Sequence, residues 1–189
     1  LKDNQPAAAL IILEQLLQQA EGGRDRGRLY ELLTVAFART SQPDLARTAL
    51  RNACIEMPDK LKNCRAYAEE LMAAGLMQQA EEFLRDKLTE SNGNSFYDFL
   101  LARYYKRVGE IGKALASARR ALNKDRSNLE YRYFLGHLLF EQKMYSAAQK
   151  EFRFIVRRNP GWRGDRSAIV LARCLWQMDK QQEAVSELR

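Results

Sequence analysis

No apolar run in this sequence is long enough to cross a bilayer as a helix. The longest, AAALIIL at residues 7–13, falls far short of the roughly 20 residues that a span needs. Proline is scarce at four residues and glycine stands at ten, which suits long helices better than a strand-rich fold full of tight turns. Only one histidine is present, and the three cysteines, Cys54, Cys64 and Cys174, form no CxxC pair. A zinc ribbon or finger is therefore excluded, and no metal site is expected. An odd cysteine count leaves at least one thiol unpaired, and the expectation is small buried hydrophobes in a reducing compartment. Cys54 and Cys64 flank an expected inter-helix turn, and whether they pair stays open at this point. No Gly-rich phosphate loop, GxSxG turn or HExxH helix occurs, so neither a catalytic centre nor a cofactor is expected. Residue 1 is Leu, so the chain is expected to be a fragment or a processed form, and a missing signal segment carries little weight.

What is present is periodic. Hydrophobic residues make up 46% and charged residues 29% of the 189 residues, the range of a globular protein with a sizeable core. An alanine recurs as Ala46, Ala80, Ala114, Ala148 and Ala184, at spacings of 34, 34, 34 and 36. Four residues after each of the first four stand Leu50, Leu84, Ala118 and Phe152; nine residues before each of the five stand Phe37, Leu71, Tyr105, Leu139 and Leu175. Spacings of three and four within each stretch put these residues on one helical face. Breakers fall between the stretches: Ser41-Gln42-Pro43, Gly75, Gly109, and Pro58 and Pro160, each twelve residues after its alanine. Each unit thus reads as a helix, a tight turn and a second helix. A lone hairpin cannot bury its apolar face, so neighbours must stack, and close approach needs a small residue opposite a large one.

This pattern of small and large residues resembles the tetratricopeptide repeat family over nearly the whole chain. The resemblance implies an all-α fold, a right-handed α-solenoid of stacked helix-turn-helix hairpins. It implies one array over 1–189, with a lone second helix at 5–20, full repeats at 27–60, 61–94, 95–128 and 129–162, and a partial repeat at 163–189. Asp98 and Arg132 stand where the family carries an aromatic near the start of the first helix, and Lys87 replaces a usual alanine.

In such arrays the first helices line a concave surface that holds a partner. The groove positions carried over from the family are Lys62 and Arg65 in repeat two, and Phe96, Phe99, Arg103 and Lys106 in repeat three. Repeat four supplies Tyr133, His137 and Phe140, and the partial fifth supplies Arg166, Arg173 and Trp176. Aromatic and basic residues interleave there, the pattern of a binding surface. The carboxylate clamp of chaperone-binding members is not expected, because Glu31, Val35, Arg65 and Glu69 occupy its Lys and Asn positions.

Charge is uneven. Residues 1–94 carry 12 Lys+Arg against 14 Asp+Glu, whereas residues 95–189 carry 19 against 10. The excess includes Arg119, Arg120, Lys124 and Arg126, then Arg153, Arg157, Arg158, Arg163 and Arg166. An acidic partner would be drawn to this half, with an attraction that weakens in salt. The expected function is a non-catalytic protein–protein interaction scaffold that holds an acidic segment with apolar anchors, as part of a larger assembly such as a bacterial envelope, secretion or exopolysaccharide machine. Two alternatives stand beside it: a nucleic-acid-binding helical repeat that uses the basic half, and a regulatory domain of a larger enzyme. The expected compartment is the cytoplasm, with a periplasmic or membrane-tethered setting as the alternative. Apolar residues left open on the terminal repeats allow homo-oligomers.

Overall fold

A computed structural model describes residues 5–188, and all of its regular structure among those residues is helical. Eleven helices follow in order: α1 Gln5–Gln19, α2 Gly23–Arg39, α3 Pro43–Glu56, α4 Leu61–Ala73, α5 Met77–Glu90, α6 Ser95–Arg107, α7 Ile111–Lys124, α8 Leu129–Glu141, α9 Tyr145–Arg158, α10 Arg166–Trp176 and α11 Gln181–Ser186. The first helices α4, α6 and α8 start 34 residues apart, and so do the second helices α3, α5, α7 and α9. The first hairpin departs from the expected boundary, since α2 begins at Gly23, four residues before residue 27.

Local chemistry explains where these helices begin and end. Pro43 opens α3, where its missing N–H loses nothing. Asn94 and Asn128, one period apart, cap α6 and α8: the side-chain oxygen of Asn94 accepts from the Phe96 N–H at 2.9 Å, and that of Asn128 from the Glu130 N–H at 3.1 Å. Every first helix from α2 onward ends alike. Residues 41, 75, 109, 143 and 179 all take positive φ. The N–H one residue further on bonds back to the carbonyl five before it, as Leu76 to Leu71 and Met144 to Leu139, both at 2.9 Å. This is the Schellman termination, at which glycine carries no Cβ penalty. Gly75 and Gly109 satisfy it, whereas Ser41, Lys143 and Asp179 adopt it as L residues.

The chain divides into two compact units, Leu1–Phe83 and Leu84–Arg189. In the first, α2 packs on α1 and α3, and α3 on α4. In the second, α6 pairs with α7, α8 with α7 and α9, and α10 with α9 and α11. The periodic alanines are buried: Ala46, Ala80, Ala114, Ala148 and Ala184 are all 9% exposed or less. On α8, Gly136 meets the fully buried Phe152 of α9 so closely that a Cβ would lie 2.9 Å from the ring.

The cysteine expectation is corrected for two of the three residues. Cys54, near the end of α3, and Cys64, near the start of α4, form a disulfide with Cα atoms 4.9 Å apart. The two helix ends converge across the Met57–Lys60 turn, bringing together residues that spacing alone could not pair. Cys174 is free and buried, and burial pushes its thiol up to about 11, so that it stays a neutral core residue.

The buried Asp98 shows how a charge replaces the aromatic of the repeat pattern. It is 0% exposed and is clamped from α7 by Arg120 at 2.8 Å and Lys124 at 2.6 Å; Lys124 also donates to the Gly93 carbonyl. One period later, Arg132 pairs with Glu151 of α9 and lays its guanidinium 3.7 Å over the Phe154 ring. The excess charge expected to attract a partner is thus partly spent inside the fold.

Two outcomes follow for stability. Ala148→Leu overpacks the buried face of α9, with an expected loss of about 1–3 kcal/mol in urea unfolding and an unchanged far-UV spectrum. Reduction of the Cys54–Cys64 bridge, whose cysteines lie 10 residues apart, lowers stability by about 2–3 kcal/mol. A Cys54→Ala/Cys64→Ala variant then shows no further response to reductant when thermal unfolding is followed.

Candidate partner-binding face

The predicted groove residues fall in both units and differ between them. In the first unit, Glu31 on α2 receives Lys60 at 2.7 Å and Lys62 at 3.6 Å, and Arg65 pairs with Glu69 one turn on. Partial burial alone would raise the Glu31 carboxyl, but hydrogen bonds from Lys60 and Asn63 and the nearby lysine charges carry it below the ordinary range. The basic residues predicted here, Lys62 and Arg65, are already met by carboxylates of their own unit.

The second unit gathers the aromatic and basic residues into a band across α6, α8 and α10. Lys106 on α6 reaches Glu141 at the end of α8, 2.6 Å away. Arg173 on α10 lays its guanidinium over Phe140 of α8, 5.3 Å from the ring centre. At the middle of α8, Tyr133 and His137 meet edge to face with ring centres 4.4 Å apart, and both make edge-to-face contact with the Phe152 ring. Trp162, from the α9–α10 junction, closes on Tyr133 at 5.3 Å. Further along, Trp176 stands 57% exposed at the end of α10, on the same helical face as Ile169 and Arg173. Arg103 is half-buried with its guanidinium 6.0 Å from the Phe99 ring. Arg166 is exposed at the first turn of α10, and Phe96 is half-buried against the edge of Tyr97.

Phe99 differs from the expectation. It is 2% exposed, sandwiched against Tyr131 and Phe134 of α8, so its ring holds α6 to α8 and is not offered to a partner. The large apolar side chain at that turn fills the gap between two first helices, a demand that the groove register does not reveal. Trp162 and Arg163 were absent from the predicted groove because they precede the helix. The signal that could have found them is the 36-residue step from Ala148 to Ala184, which places extra chain at this junction.

The band is electrostatically basic at its centre. Burial lowers the proton affinity of His137; Glu141 opposes this, and the cations Lys106, Arg163 and Arg173 add to it. His137 Nε2 is buried without a hydrogen-bond partner among the described residues. No group of three or more His, Cys, Asp or Glu side chains suited to a metal occurs among the described residues. No helix among them is long and apolar enough to cross a membrane.

No family model and no curated protein matches this sequence, but solved structures do. A crystal structure of MamA superposes with a TM-score of 0.65 at 16% identity, covering 86% of this chain and 87% of that one. MamA 41-end from Desulfovibrio magneticus RS-1 gives 0.65 at 13% identity, over 87% and 92% of the two chains. The C-terminal part of a TPR repeat-containing protein from Cytophaga hutchinsonii gives 0.71 at 16% identity, over 99% of this chain and 74% of that one.

A pH outcome follows from His137. Its folded-state pKa is depressed, so the folded protein takes up a proton less readily than the unfolded chain. The stability that this neutral ring contributes is present above the unfolded value near 6.5 and is lost as pH falls through the folded value. Thermal unfolding of wild type and His137→Gln between pH 8 and pH 5 (roughly the titration window) is expected to show a steeper loss for wild type below about pH 6.5.

The hairpin period, the buried alanines and these likenesses agree: the chain has the tetratricopeptide-repeat fold.

Proposed function

We propose that this protein is a non-catalytic interaction scaffold whose second unit holds an acidic, extended or helical segment of a protein partner on the face of α6, α8 and α10. The observation that carries this reading is the aromatic and basic band, in which exposed Trp176 and Ile169 flank Arg173, which has no carboxylate partner among the described residues. Apolar side chains of the bound segment would rest on the rings, and its carboxylates would meet the cations, a division of labour common to peptide grooves.

The remaining basic residues favour a peptide over nucleic acid. Arg120 and Lys124 are tied to Asp98, Arg153 to Glu183 and Glu187, and Arg132 to Glu151. Fewer of the 19 Lys and Arg residues in 95–189 are thereby left for a phosphate backbone than their number suggests. The Cys54–Cys64 bridge supports an oxidising compartment, hence the periplasmic setting over the cytoplasmic one. A place in an envelope or secretion assembly accords with that setting.

The test is binding to an array of synthetic acidic peptides bearing Phe, Leu or Trp anchors. Wild type is expected to bind with an affinity that falls as salt rises. Arg173→Glu and Tyr133→Ala should each weaken binding by about tenfold, equivalent to about 1.4 kcal/mol, with unaltered helicity. Unchanged affinity in both variants, or tighter binding to single-stranded RNA than to any peptide, contradicts the reading.

A further inference from the structure

The three junctions between hairpins from α3 to α8 share one length, and the one after α9 does not. Met57–Lys60, Ser91–Asn94 and Asp125–Asn128 each span four residues, whereas the α9–α10 junction runs over residues 159–165, seven residues. The net excess in the period at this place is two residues, 36 in place of 34. The junction carries NPGWRGD. Within it Arg163 takes the left-handed conformation at φ 58° and Gly164 follows at 63°, outside the series of hairpin turns that ends each first helix. A non-glycine residue is uncommon there, and the surrounding contacts must hold it.

What holds Arg163 is aromatic. Its guanidinium lies 4.9 Å from the Tyr133 ring centre and 4.8 Å from that of Trp162. Stacking uses the π faces and leaves the N–H edge of the guanidinium open. Glu130 stands 3.9 Å away, close enough to temper the charge but beyond hydrogen-bonding range. Among the described residues Arg163 makes no hydrogen bond, and its side chain is 43% exposed. A fork of donors is thus pre-oriented beside Tyr133 and His137, and ordering it on binding loses little side-chain entropy.

We propose that the lengthened 159–165 junction is a specificity element of the groove, and that Arg163 is the residue that selects a carboxylate side chain on the bound segment. This rests on the peptide-binding reading given above and adds to it a named point of recognition. The occupant is an acidic protein segment: the cations Lys106, Arg163 and Arg173 all bear on His137, and Glu141, which Lys106 already engages, is the carboxylate that opposes them there. A carboxylate meets a guanidinium with two parallel N–H···O bonds, a geometry that an amide side chain reproduces poorly. The selection is therefore for Asp or Glu over Asn or Gln at one position of the segment.

The experiment uses the whole chain and two synthetic probes, an acidic peptide from the array that binds wild type and the same peptide with each Glu and Asp changed to Gln and Asn. Arg163→Gln is expected to weaken binding of the acidic probe by about tenfold and to leave the amide probe unchanged, while Arg163→Lys loses an intermediate factor because the charge remains and the fork does not. Circular dichroism confirms that both variants stay folded. Equal affinity of wild type and Arg163→Gln for the acidic probe, with Arg173→Glu still weakening it, overturns the role of Arg163 and leaves the groove standing. An equal loss for both probes likewise overturns it, because the residue would then shape the groove and not read charge. Failure of wild type to bind any acidic peptide removes the groove reading and this inference together.

Discussion

The structure depends on close approach of helices at points where one side chain is small. At Gly136 the backbone of α8 comes so near the Phe152 ring that even a methyl group has no room. A Phe buried to 0% exposure removes a large apolar area from water, about 25 cal/mol per Å², and it can do so only because the facing helix offers no Cβ. Repetition of the small residue at a fixed period lets one packing solution serve hairpin after hairpin. A single helix pair would leave that face wet.

The same repetition leaves certain places free to vary in chemistry while their location stays fixed. The fourth position of the four full repeats carries Tyr30, Cys64, Asp98 and Arg132, 34 residues apart. Cys64 is cross-linked back to α3, whereas Asp98 and Arg132 reach the second helix of their own hairpin. A covalent bond and two kinds of ion pair thus stand where the repeat pattern carries an aromatic. Burial of Asp98 is tolerable because two cations and their hydrogen bonds surround it; removal of one partner would leave an uncompensated charge, the costly case.

Much of the fold was legible because helix packing writes its demands at fixed spacings. The alanine series and the breakers recur at the repeat period, the groove register is what the family resemblance implies, and the turns at 41, 75, 109, 143 and 179 repeat the rhythm in backbone conformation. Less of the site was legible. The cysteine pairing turns on the angle at which α3 and α4 converge, a three-dimensional quantity that a separation of 10 residues leaves open. Arg120 and Lys124 read as surface charge because their partner, Asp98, lies 22 and 26 residues away in sequence. Phe99 sits at a groove position but points between two helices, as the fit to Tyr131 and Phe134 requires. Trp162 and Arg163 lie outside any helix, where periodicity has no reach.

The proposed interaction face inherits its precision from that packing. Tyr133 and His137 rest on the same Phe152 ring that fills the space at Gly136, so the contact that closes the hairpin also sets the floor of the proposed groove. The most direct test is a double-mutant cycle on that contact by chemical denaturation. If the Phe152 ring at Gly136 is the limiting approach, Gly136→Ala alone destabilises despite the better helix propensity of alanine, and it costs much less when made in a Phe152→Leu background, with a coupling of about 1 kcal/mol or more. Strictly additive effects, or a stabilising Gly136→Ala, would contradict the account.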